Sequence, residues 1–260
     1  MTNRRLRRQE ATASSMNDTS SRLSISNRLL SAIPEAELAI LRPYLEVVYL
    51  RPGTILAEPG DNVRYCYFPN KGMISLLSVT ERGNAIEVAY TGAEGMAGVS
   101  AVLGGNEVLH QMLVQAETEC LVADAVAVRE LFRQDGVFHD LLLRYVHALL
   151  KQTSQTCVCN HFHRIEARLC RWLTVMCERS QQRRLVLTQE FLAHMLGVQR
   201  TSIGLIAHTM QTNGIIRYSR GRVEIIDVDR LREGACECYW IVNREYENLF
   251  RFHDRRSNRK

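Results

Sequence analysis

The chain contains no stretch approaching the 18 or so consecutive apolar residues that a membrane span requires. Its Arg-rich start runs into ATASSMNDTSS, which lacks the apolar core of a signal peptide. Glu10 and Asp18, with no amphipathic stretch around them, argue against an organellar transit peptide. These absences predict a cytosolic (cytoplasmic) protein with no membrane partner. No Ser/His/Asp order, phosphate-binding loop, dinucleotide fingerprint or HExxH motif occurs, and the His and acidic residues share no acid–base spacing, so the expectation is not an enzyme. CxxC spacing is missing too, and eight Cys in a cytosolic chain read as thiols rather than a disulfide framework.

What is present is ordinary globular composition: 260 residues, 46% hydrophobic and 23% charged, enough for one large or two modest cores. The net charge of +5 is unevenly spread. Residues 23–150 hold 9 basic against 15 acidic residues (−6), whereas residues 151–250 hold 14 against 10 (+4).

Period changes along the chain divide it. Residues 1–22 are polar and aperiodic and are expected to be a disordered tail. Helical spacing follows from Leu23 to about Tyr44, with Pro34 opening a second helix that carries Leu38 and Leu41 on one face. Short runs such as VVYL, YCYFP, MISLLSVT, AIEVAYT and CLVADA then recur between turn signals PG, PGDN, NKG, RGN and GGN, the pattern of a sandwich, jelly roll or barrel. VRELFRQDG reads as a short helix ended by Gly136. FHDLLLRYVHALLKQTSQTCVCN runs on with no Gly or Pro and places Leu142, Tyr145, Leu149 and Thr153 near one stripe, a candidate dimer seam. The expected domains are a β-roll over 23–136, a connecting and dimerisation helix over 137–163, a DNA-binding unit over 164–228 and a C-terminal extension over 229–260.

LTQEFLAHMLGVQRTSIGLIAHTM reads as helix, tight turn, helix. Thr188 is a good N-cap, Phe191, Leu192 and Met195 point inward, and Gly197 ends the first helix. The second helix, from about Gln199, turns Ile203, Ile206 and Met210 inward and leaves Gln199, Arg200, Thr201, Ser202 and Leu205 near its outer face. The hairpin GIIRYSRGRVEII then offers Arg217, Arg220 and Arg222 around a Gly turn, as a wing along phosphates would. Arg near a helix N-terminus can take both acceptors of guanine in the major groove. Residues 164–222 hold ten Arg against Glu166, Glu178 and Glu190, a local +7 suited to double-stranded DNA.

A Gly-turned β-roll, a long helix, then helix-turn-helix and wing together resemble the Crp/Fnr family of bacterial transcription regulators over residues 25–228. The resemblance implies an α+β fold: an N-terminal double-stranded β-helix (a jelly-roll-like β-roll), a long dimerisation helix and a C-terminal winged helix-turn-helix. It also implies a homodimer on a two-fold operator and an effector signal in the roll, with RNA polymerase as a further candidate partner. By that resemblance Arg200 is the base reader, with Gln199, Thr201 and Ser202 beside it, and Thr188 and Gln189 join Arg217, Arg220 and Arg222 on the backbone. Thr201 and Leu205 stand where many members carry Glu and Arg. Nucleotide-binding members hold the cyclic phosphate and ribose with a Gly-Glu pair and a later Arg. Here the corresponding positions fall on Ala97 or Val99 and on Leu109, His110 or Gln111, so the pocket reads as degenerate and the effector as something other than cyclic AMP, small-molecule or redox.

The run CVCNHFH places Cys157 with His161, and Cys159 with His163, one helical turn apart; Cys236 and Cys238 form a second CxC. Thiols and imidazoles could hold zinc or iron, but small buried Cys is the commoner use, so no metal and no cofactor is expected. The alternative function is a metal/redox or small-molecule sensing module acting through protein contacts.

Overall fold

Gly-bounded, β-rich runs become strands throughout the front half of the computed structural model, which describes residues 24–257. The tail expected over residues 1–22 lies outside them. One antiparallel sheet has the order β1 (Glu46–Leu50), β7 (Thr118–Asp124), β3 (Tyr65–Lys71). A second has the order β2 (Ile55–Ala57), β6 (Gln111–Val114), β4 (Ile74–Val79), β5 (Ala85–Thr91). Together they form the predicted roll. At Gly72 the chain takes φ 96° between β3 and β4, and any Cβ there would overlap Thr118, so both conformation and space require glycine.

Helices close the roll. Asn27 caps α1 (Arg28–Ser31) and, fully buried, donates to the Pro69 and Gly95 carbonyls. Pro34 precedes α2 (Glu35–Leu41), which buries Leu38 and Leu41. Asp124 caps α3 (Ala125–Phe132). Gly136 does not end this helix as expected; it is the N-cap of α4 (Val137–Phe162). Glu37 accepts hydrogen bonds from the Val137 and Phe138 amides at 2.8 and 2.7 Å, satisfying donors that Gly136 has no side chain to reach.

The stripe expected as a dimer seam faces the other way. Leu142 and Tyr145 are completely buried within this chain and Leu149 is nearly so, while the Thr153 hydroxyl donates back to the Leu149 carbonyl. Tyr145 Oη donates within hydrogen-bond reach of Met96 O and Thr91 Oγ1, and Leu149 packs among Ile74, Leu76 and Ala89 of the roll. The helical period was right, but the roll occupies the face. The residues that α4 leaves exposed are Asp140, Leu143, His147, Leu150, Lys151, Ser154, Cys157, Val158, His161 and Phe162.

Residues 229–260, expected as an extension, contain most of α8 (Val228–Glu233) and all of α9 (Cys238–Ser257). Val242, Tyr246, Leu249 and Phe250 of α9 join the same buried cluster as Leu141, Leu142 and Tyr145 of α4. Tyr246 Oη donates to the buried Gln152 side chain at 3.0 Å.

From Ile165 onward the second unit begins: α5 (Ile165–Ser180), β8 (Arg184–Val186), α6 (Gln189–Leu196), α7 (Arg200–Thr212), β9 (Ile216–Ser219) and β10 (Arg222–Ile225). The hairpin gains β8 as a third strand, in the order β8-β10-β9. The unit rests on the roll through one apolar cluster, in which Met73, Leu77 and Tyr90 meet Leu169, Trp172, Leu173 and Met176. Two buried carboxylates line this junction. Glu94 pairs with Arg179 at 3.2 Å, and Glu87 accepts from the Ser75 hydroxyl within electrostatic reach of Arg171. Burial pushes the Glu87 carboxyl up, against the opposing pull of Ser75 and Arg171.

Candidate nucleic-acid interface and a thiol–imidazole cluster

Thr188 caps α6, its Oγ1 accepting from the Phe191 amide at 3.1 Å. At the other end Gly197 takes the left-handed conformation (φ 61°), and the Val198 amide returns to the Ala193 carbonyl at 2.9 Å, ending the helix tightly. Three residues on, α7 starts with Gln199 as an N-cap that makes no side-chain cap bond. Ile203, Ala207 and Met210 face the core, and Phe191 and Ile206 are only half-buried at its edge. The Gln189 side chain of α6 lies close to Gly204 of α7.

The outer surface of this pair carries the expected reading residues. Gln199, Arg200 and Thr201 are exposed, Ser202 is half-buried, and Leu205 stands 73% exposed. Thr188 is exposed and Gln189 half-buried at the start of α6. The wing is braced beside them: the Leu187 amide donates to Gly221 O at 2.8 Å, and Tyr218 Oη donates to Leu187 O at 3.1 Å. Arg220 and Gly221 both have positive φ (48° and 73°) and form its tip. Arg217 and Arg222 are exposed on β9 and β10, though Arg217 and Arg184 share the Glu224 carboxylate at 3.1 and 2.9 Å. The two guanidiniums hold the Glu224 carboxyl below its usual range.

The local charge is therefore distributed differently from a plain count. Arg168 and Arg171 are buried and Arg179 is paired with Glu94, so the outward charge comes from Arg164, Arg183, Arg200, Arg220 and Arg222, with Arg184 and Arg217 exposed but sharing Glu224. The inward guanidiniums hold the molecule together instead. Arg168 donates to the Leu196 carbonyl at the end of α6 and to Asn160 on α4.

In the roll, Ala97 is buried and bridges to Tyr67, and Val99 is half-buried and opens a short 3-10 turn. Both belong to an apolar cluster with Ile74, Leu76, Ala89, Met112 and Leu149. Gln111 donates to Glu58 at 2.9 Å, and burial pulls the His110 imidazole down. Ala97 and Val99 thus belong to a packed apolar interior, and Gln111 has its own carboxylate partner. Glu94, one turn earlier, is spent on Arg179.

Cysteines and histidines group differently from their sequence runs. Cys157 and His161 are exposed on α4 and take part in no cluster with the others. Cys159 and His163 instead meet Cys236 and Cys238, with all four candidate donor atoms within 4.8 Å of one another. Reading the two CxC runs separately missed this, because the return of α9 along α4 joins them. The contact between the two thiols draws the Cys159 thiol down and pushes the Cys236 thiol up.

A family model described as a cyclic nucleotide-binding domain matches residues 47–135, and one described as a Crp-like helix-turn-helix domain matches residues 167–233. No curated protein sequence matches the chain. Solved structures share the fold. A protein of Eubacterium rectale assigned to the Crp/Fnr family has 16% identity and a TM-score of 0.63, over 80% of this chain and 97% of its own. FixK2 from Bradyrhizobium japonicum has 12% identity and a TM-score of 0.61, over 74% and 98%. The Crp-family regulator TTHB099 from Thermus thermophilus has 15% identity and a TM-score of 0.60, over 72% and 96%. Two family models that together span more than half the chain, on a roll, long helix and winged helix-turn-helix in that order, make this chain a member of the Crp/Fnr family of transcription regulators.

Proposed function

We propose that the chain acts as a homodimeric, sequence-specific DNA-binding regulator, each copy inserting α7 into the major groove of one half of a two-fold operator. The exposed, side-chain-uncapped start of α7, with Arg200 at its first turn, carries this reading. Arg200 reads a guanine there, Gln199, Thr201 and Ser202 contact neighbouring bases or phosphates, and exposed Leu205 meets a thymine methyl. Thr188 and Gln189 at the start of α6, with Arg217, Arg220 and Arg222 of the wing, hold the backbone. Dimerisation uses the outward stripe of α4, where Leu143, Leu150 and Cys157 recur every seven residues with His147, Ser154 and His161 between them. The roll carries the effector signal, for which the apolar setting of Ala97 and Val99 is unlike a cyclic phosphate site.

Binding to a selected cognate fragment and to random DNA across a salt series tests the assignment. Arg200→Ala should cost about 1–3 kcal/mol on the cognate site and relax one operator position, leaving random DNA unaffected. Arg220→Ala should weaken both DNAs alike and reduce the salt slope by about one. Equal effects of the two substitutions on both DNAs would refute the roles given to them.

A further inference from the structure

The joint between α4 and α5 carries chemistry that DNA binding does not use. Cys159 lies in the last turn of α4, His163 is its C-cap, and Cys236 and Cys238 lie where the chain enters α9. Cys159 Sγ and Cys236 Sγ are 3.5 Å apart, and Cys238 Sγ is 3.4 Å from His163 Nδ1. A tetrahedral ion with Zn–S of about 2.3 Å and Zn–N of about 2.0–2.1 Å has ligand-to-ligand edges of about 3.5–3.8 Å. Two of the six edges of such a shell already have about this length, and all four donor atoms lie within 4.8 Å of one another, so small side-chain shifts would close it around one ion.

The surroundings suit such an ion. His163 Nε2 lies 3.0 Å from Glu237 Oε1, so with the proton on Nε2 the Nδ1 lone pair points into the cluster, the carboxylate–histidine arrangement that orients metal-bound imidazoles. Gln155 Nε2 donates to Cys238 Sγ at 3.1 Å, a bond that favours the thiolate. Three thiolates, one neutral imidazole and a dication leave a net charge of −1, and the buried guanidiniums of Arg168 and Arg171 lie within electrostatic reach of Cys159 and Cys236. Soft thiolates with one imidazole select zinc over oxygen-preferring magnesium or calcium, and four protein ligands leave no open position for catalysis.

We propose that Cys159, His163, Cys236 and Cys238 form a structural Zn²⁺ site that fastens the start of α9 to the joint between the long helix and the DNA-binding unit. A Cys159–Cys236 disulfide is the competing use of these atoms; it would engage two of the four and leave Cys238 and His163 without a common role.

Full-length protein expressed with added zinc, purified without chelator and analysed for metal should contain about one zinc per chain. Cys236→Ser and Cys238→Ser should each lose most of it, about fivefold or more, whereas Cys157→Ser, outside the cluster, should keep it all. Because a cluster variant could lose zinc by unfolding, chelator-stripped wild type is also titrated with Co²⁺. It should develop thiolate-to-cobalt charge-transfer bands and the intense visible bands of a tetrahedral ion, saturating near one equivalent. Less than about a tenth of an equivalent of zinc together with no tetrahedral cobalt spectrum would overturn the site. So would zinc content unchanged in the cluster variants, or a protein mass two hydrogens low that maps to a Cys159–Cys236 bond.

Discussion

Gly197 meets two demands at once. Its left-handed backbone ends α6, and a Cβ on it would lie 2.6 Å from Ile86 Cδ1 of the roll, so the turn before α7 is seated directly on β5. Gly197→Ala should therefore lose about 1–2 kcal/mol from backbone strain and more from the contact. Ile86→Ala in the same chain should recover the contact part only. Urea midpoints of the two single variants and the double variant separate the parts; strict additivity would show that the turn and β5 do not touch in solution. The residues proposed to read DNA are visible in the sequence because a helix-turn-helix is local: Thr188, Gly197 and Arg200 stand within 13 residues of one another. The partners of Gly197 and Arg168 were not, since Ile86 and Leu196 reach them only through the folded chain.

Among elements, α4 shows how far periodicity carries. Leu142, Tyr145 and Leu149 are correctly spaced for one face, but spacing alone does not say what covers that face, and the roll and α9 do. Strands bounded by glycine turns were legible for the opposite reason, each being a short and self-contained pattern. The third wing strand β8 escaped, being only three residues long. The exposed stripe now carries the dimer proposal. Leu150, 63% exposed, should tolerate Glu in the monomer, so Leu150→Glu should leave the melting temperature of dilute protein within a degree or two while shifting sedimentation from dimer toward monomer. A variant that sediments as the wild type at micromolar concentration would move the seam elsewhere.

Taken whole, the molecule is two units locked by a shared core. Glu94, almost fully buried in the roll, meets Arg179 of α5, whose side chain is 21% exposed. Burial works against that guanidinium's charge, and its acidic and phenolic neighbours, Glu94 first, outweigh it and keep it charged, so removing Glu94 leaves an unmatched cation at the junction. Glu94→Gln should cost about 3 kcal/mol, toward the low end for a broken buried pair because Arg179 keeps some solvent. Fluorescence from Trp172 at the junction and circular dichroism should still unfold together; separation of the two curves in the wild type would mean that the units are not one cooperative body.

The return of α9 along α4 brings the first and last helices of the described chain together. Arg28 of α1 pairs with Glu247 of α9 at 2.9 Å and lies 4.0 Å above the Phe250 ring. Because these near-terminal segments are neighbours, the order of the chain is nearly cyclic. A flexible link from residue 257 to residue 24 of the described chain, with the backbone opened at the exposed 81–84 turn, would preserve the packed contacts of α1 and α9 described above.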